Sequence, residues 1–270
     1  MNIEHIAGIC LSFLRTTSYL HTVLIGLFFL SLIIALAKVL FSWLKTSWFK
    51  KRIRTARIPQ LIQELSLKHD LEDKIIIFQN SKSSAFCLGI KNPRIYLSTK
   101  LLETMNKKEI EVIMLHEKYH LINRDTFLIL IATFVRGLFL LFPIITDIVA
   151  SLIRQKETEA DQYSLAYFKN PNIVLSAFKK LLTGLSTDIP SLAYLVSFVH
   201  ADTLEHRIKI LKGEKTFVLS FEIKHILITF ISLIAISSFL LLSTRPTFAQ
   251  QNVSPSACLK GHNCHADCSS

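Results

Sequence analysis

Two long apolar runs frame the chain. Residues 22–44 are mostly apolar and carry no charge except Lys38, which lies near one end where its stem can reach the membrane interface. Residues 226–244 carry no charge at all and are bounded by Lys224, His225 and Arg245. Each run is long enough for a helix to cross a hydrocarbon core of about 30 Å, and two spanning helices are expected. Between them the pattern shortens. KIIIFQ, AFCLGI and RIYLS, within residues 74–98, read as strands of a small sheet separated by polar, Gly, Asn and Pro turns. Helical patterns follow at 99–105 and again from Lys107, where Asn106 is the expected N-cap and Glu109 its partner three residues on. A third apolar stretch, 126–153, is interrupted by Arg136, Gly137, Pro143 and Asp147. It is too short to cross twice, since each helical crossing needs about 20 residues.

Composition agrees with a bilayer as part of the solvent. Half of the 270 residues are hydrophobic and the mean hydropathy is +0.40. The net charge of +11 is unevenly placed. Lys45, Lys50, Lys51, Arg52, Arg54 and Arg57 follow the first run, and Arg207, Lys209, Lys212, Lys215 and Lys224 precede the second. Both clusters flank the central region, so the positive-inside rule puts that region in the cytoplasm and both termini across the membrane. No aromatic-basic recognition pattern accompanies the charge, and direct nucleic-acid binding is not expected. Cys10 and Cys87 are isolated, as buried hydrophobes are. Cys258, Cys264 and Cys268 cluster near the C-terminus, on the side where disulfides persist.

The chemistry concentrates in His116-Glu117-Lys118-Tyr119-His120, an HExxH motif. On a helix, residues four apart share a face, so both imidazoles can reach one zinc ion at about 2.0–2.1 Å. Glu117 lies beside the pair, placed to accept the proton of a water that the ion acidifies. Such a site hydrolyses peptides. A catalytic zinc takes three protein ligands, and Glu157-Thr158-Glu159-Ala160-Asp161 offers the third. Glu157 and Asp161 share a face, the first to bind metal and the second to orient a ligand from behind, while Glu159 points elsewhere. Asp125 is either another such carboxylate or a helix-end charge.

This third ligand constrains topology. A single crossing by 126–153 would put Glu157 on the opposite side from His116 and His120. The expectation is instead a hairpin of two short helices that does not cross, packed on the catalytic domain or dipping partway into the membrane.

These residues resemble the membrane zinc metallopeptidases of the BlaR/MecR antirepressor type and their HtpX and CAAX-protease relatives. The resemblance runs over about 85–211 and includes AFCLGIKNPRIYLSTKLL, HEKYHLINRD, Phe142-Pro143, ETEAD and HADTLEHRIKIL. It implies His116, His120 and Glu157 as zinc ligands and Glu117 as general base. The stretch 200–211 is similar to the HPxxxxRI segment of HtpX-like enzymes, with Ala201 in place of proline. It implies His200 as an oxyanion-stabilising residue and Arg207 as a structural or supporting one. Penicillin-sensing members carry a large sensor after the last helix. The short stretch after Thr244 leads us to expect no β-lactam sensing through such a domain.

The expected protein is thus α+β and mainly helical: an integral membrane protein with a zincin-like metallopeptidase domain, a small sheet, two transmembrane helices and a non-crossing hairpin. Its parts are a non-cytoplasmic segment 1–21, a span 22–44, a cytoplasmic domain 45–221 containing the hairpin 126–153, a span 226–244 and a Cys-containing tail 245–270. It lies in the inner membrane as a multi-pass, Zn2+-dependent endopeptidase. Its partner is a protein substrate, either a transcriptional repressor in signal-linked proteolysis or a membrane protein in HtpX-type quality control. The competing class is a non-enzymatic signalling protein with structural zinc, and the general base Glu117 argues against it. Thr247-Phe248-Ala249 resembles a signal-peptidase site that would release the tail; the alternative is a tail left attached.

Overall fold

The computed structural model describes the backbone of residues 3–183 and 221–243 and the side chains of 22–183 and 221–239. The chain divides into two compact units, 1–232 and 233–270. The first holds all three described strands and every described helix except the end of the last one.

The chain begins with one long helix, α1 (Ile3–Arg52), closed by Lys50, Lys51 and Arg52 in its last turn, where cations favour a helix C-terminus. The first segment and the first apolar run are continuous as one helix. Thr22–Arg52 is long and apolar enough to cross a membrane by length and composition. Most of its side chains face outward, with Phe28, Ile33 and Phe41 more than half exposed, as lipid-facing residues are, while Ser31, Ala35 and Ser42 are buried.

After α1 come α2 (Gln60–Lys68) and three strands, β1 (Ile75–Phe78), β2 (Ala85–Leu88) and β3 (Arg94–Ser98). The sheet order is β1-β3-β2, with β1 parallel and β2 antiparallel to β3. The outer edge of β1 is covered by the chain leaving α1, through Ala56 N–H to Ile77 O at 2.9 Å and Gln79 N–H to Arg54 O at 2.9 Å. Among the described residues no strand pairs with the outer edge of β2. Gly89 makes the turn after β2. Its φ is +131°, and a Cβ there would lie 2.6 Å from Asn92 O, so only glycine fits.

Three helices, α3 (Thr99–Thr104), α4 (Lys107–Ile122) and α5 (Asp125–Leu138), lead to α6 (Ile144–Phe168) and α7 (Pro171–Thr183). Asn106 and Glu109 form the full capping box that starts α4. The main core lies between the sheet and α4, α2 and α7, built around Leu97, Ile95, Ile110, Ile113, Met114 and Phe178. A second cluster joins α1 to the sheet: the Phe49 ring lies 5.7 Å from Phe86 and 6.1 Å from Phe78, edge-on to both.

The hairpin forms, with a correction. Its first arm is α5 and its bend is 139–143, where Pro143 precedes a new helix start. The second arm is not a short helix ending near residue 153. It is the first half of α6, which contains no Pro or Gly and runs unbroken to Lys169, whose left-handed conformation ends it. α5 packs antiparallel on α1. Gly137 sits so close to Ala35 that a Cβ would lie 2.6 Å from the Ala35 Cα, and Leu130 packs toward Phe49 at the other end.

The last helix, α8 (Ile223–Ser243), is apolar over Ile223–Phe239. Asp147 of α6 holds its start, accepting from Glu222 N–H at 3.2 Å and from His225 Nδ1 at 2.8 Å. Asp147 is thus engaged by α8.

Candidate metal centre

α4 is buried around most of its circumference, which carries its motif into the interior. His116, Glu117 and His120 are at most 6% exposed. Polar ties hold the helix in place: Glu109 to Ser176 and Lys180 of α7, Glu111 to Lys68 and His69, and Lys118 Nζ to His69 O. Burial alone would raise the Glu109 carboxyl, but Lys180, the Asn106 N–H and Ser176 outweigh it and hold it below the usual range.

The two histidines stand one turn apart with Nε2 atoms 3.2 Å from each other. α6 crosses α4 and supplies Glu157, with Oε2 3.5 Å from His116 Nε2 and Oε1 3.6 Å from His120 Nε2. These three residues offer donor atoms within 4.8 Å of one another. Tetrahedral zinc with bonds of about 2.0–2.1 Å requires donors about 3.3–3.4 Å apart, and the three separations bracket that value. Two imidazole nitrogens and a carboxylate also match zinc in donor type, so the residues fit the ion.

Two further carboxylates stand behind the ligands. Asp125 is 1% exposed and lies at the start of α5, where its Oδ2 accepts from His120 Nδ1 at 2.8 Å, leaving Nε2 to face the other donors. Arg124, in the left-handed region at φ 53°, makes the sharp turn that returns Asp125 to α4. Asp161 Oδ1 lies 3.0 Å from His116 Nδ1. Burial disfavours the His116 imidazolium, but Asp161 and Glu157 prevail and push its pKa up to about 10.

Glu117 lies beside the donors. Burial pushes its carboxyl up, against His116 and His120; Glu157 adds to the rise, and the Cys87 N–H opposes it. Its Oε2 is buried with no hydrogen-bond partner among the described residues. That N–H comes from β2, so Glu117 lies close to the open sheet edge. Glu159 faces away from the donors, accepting from Tyr119 Oη at 2.7 Å and pairing with Lys156 at 2.8 Å.

His200 and Arg207 lie outside the described residues, as do Ala249, Cys258, Cys264 and Cys268. Sequence reasoning missed Phe178, whose ring stands 5.2 Å from His116, and the partnership of Tyr119 with Glu159. Neither has a local signal, since each depends on how helices cross.

A profile of the BlaR1 peptidase M56 family matches residues 14–211. HtpX protease homologues from Thermoanaerobacter pseudethanolicus and Caldanaerobacter subterraneus are each 31% identical over 85 residues, which cover 30% of this chain and 28% of theirs. The chain thus matches little more than a quarter of the length of those relatives. Among solved structures, Ste24p of S. mikatae aligns with a TM-score of 0.46 and 15% identity, over 78% of this chain and 66% of that one. With the M56 profile covering most of its length, the chain belongs to the BlaR1 peptidase M56 family of membrane metallopeptidases.

Proposed function

We propose that this protein is a zinc-dependent endopeptidase that cleaves a protein substrate at the cytoplasmic face of the inner membrane, in regulatory proteolysis of the antirepressor kind. The observation that carries this reading is Glu117: a buried carboxylate whose Oε2 has no partner among the described residues, beside two histidines and Glu157. A structural zinc site has no use for such a base. Zinc bound here supplies Lewis acidity that activates water and polarises the scissile carbonyl. Glu117 accepts the proton through Oε2 and passes it to the departing amine. His116 and His120 are kept in orientation by Asp161 and Asp125. The substrate strand lies along the open edge of β2, where backbone groups recognise it without regard to sequence.

Cleavage close to the membrane is supported by helix geometry. Gly137 lies beside Ala35 and α5 runs back from it to Asp125, twelve residues or about 18 Å away at 1.5 Å per residue. That places the centre level with the basic residues that follow Leu44. The proposed topology is multi-pass, with α8 as a second crossing and both termini on the far side. A second reading, quality control of membrane proteins, draws on the likeness to HtpX homologues.

Glu117→Ala tests the mechanism. Cleavage should fall by about 10²-fold or more while bound zinc is retained, and unchanged cleavage would reject Glu117 as the base. Proteomic comparison of wild type with this variant distinguishes one repressor substrate from many membrane proteins.

A further inference from the structure

Where α1 leaves its apolar run it borders a cavity of about 360 Å³, separate from the metal centre. Its polar lining comes from Thr46, Ser47 and Lys50 of α1 and from Lys91 and Asn92 in the turn after β2. Trp43 and Leu130 form its apolar side. No carboxylate lines it. Neither Lys50 nor Lys91 takes part in an ion pair among the described residues, and the same holds for Lys45 and Lys51 outside the cavity.

Lys50 and Lys91 border one cavity with no carboxylate between them, and Arg94 adds a further positive charge near Lys50, so the cavity favours an anion. Thr46 borders the same cavity, and its Oγ1 is buried without a hydrogen-bond partner among the described residues.

Depth identifies the source of the anion. The α1 residues of the cavity run from 43 to 50, from the end of the apolar run to about 10 Å beyond it. Trp43 and Trp48 are both more than half exposed at this level, as interfacial aromatics are. Lipid phosphates occupy the same layer. We propose that this cavity binds the phosphate headgroup of an anionic phospholipid from the leaflet next to the catalytic domain. Lys50 and Lys91 neutralise the phosphate, Thr46, Ser47 and Asn92 donate to its oxygens, and Trp43 and Leu130 pack on the glycerol and the first methylenes.

Native mass spectrometry of the full chain, released from nanodiscs of equal phosphatidylcholine and phosphatidylglycerol, tests this. Wild type should retain phosphatidylglycerol over phosphatidylcholine by about tenfold or more. The K50Q/K91Q pair should abolish the preference. K45Q/K51Q removes the same charge from α1 outside the cavity and should leave the preference within about twofold. Thr46→Val, which changes no charge, should weaken retention and carries the test if the double variant does not fold, as judged by circular dichroism. Equal retention of both lipids by wild type, or equal loss in both lysine pairs, would overturn the proposal. So would inorganic phosphate, added to lipid-free protein in detergent, raising the melting temperature as much as phosphatidylglycerol does, because free phosphate would then be the ligand.

Discussion

His116 is flanked by two carboxylates, Glu157 3.5 Å from Nε2 and Asp161 3.0 Å from Nδ1, and these hold a proton on its ring up to about 10. Because this value lies above the ordinary 6.5, the protonated ring stabilises the metal-free fold fully below about 6.5, and that contribution is lost as pH rises through about 10. Metal binding has the opposite trend. The ion must displace the proton, so its apparent affinity should rise by about tenfold per pH unit over that window. Calorimetric titration with Zn2+ at pH 7, in buffers of different ionisation enthalpy, should report at least one proton released per ion; heats independent of buffer would contradict the assignment. Asp125 is open to a separate check. Asp125→Ala frees the His120 ring to rotate, and zinc affinity measured against a competing chelator should drop by about 10- to 100-fold with the fold intact.

Among the elements, α5 is held to α1 by the absence of a side chain. Gly137→Leu would drive a side chain into Ala35 and should lower stability by about 1–3 kcal/mol, with Gly137→Ala milder, as read from thermal unfolding in detergent. Elements governed by local pattern were legible in the sequence: the three strands, the Asn106–Glu109 capping box and the bend at Pro143. The pairing of HExxH with Glu157 was legible because helical spacing put each candidate donor on one face. The extent of α6 was not, because the change from apolar to charged residues near Arg154 marks a change of surroundings and not a change of backbone. The left-handed Arg124 and the Cys87 N–H on Glu117 were hidden for another reason: tertiary contacts impose them on residues with no preference for them.

At the scale of the molecule, the hairpin bend lies alongside the middle of the α1 apolar run. Ala35 is nine residues, or about 14 Å along the helix axis, from Leu44, and past its contact with Gly137 the residues Phe139, Leu140 and Leu141 are exposed. The proposed topology makes a direct prediction for single cysteines in a background lacking the native ones. Asn123→Cys and Gln162→Cys should react with an impermeant maleimide from the cytoplasmic side, and Ser254→Cys only from the other side. Labelling of Asn123→Cys and Gln162→Cys from opposite sides would remove Glu157 from the site.

The unbroken α6 also acts as a ruler. Asp147 fixes its near end to α8, Ser164 Oγ fixes its far half to Val112 O at 3.3 Å, and Glu157 lies between the two attachments. One residue inserted between Asp147 and Glu157 would turn one attachment about 100° against the other, so the donor face and the hairpin bend could not both be kept. Seven inserted residues would nearly restore the phase, to within about 20°, but would move the bend about 10 Å along the helix axis. The distance from the donor cluster to the hairpin bend is therefore counted in whole helical turns.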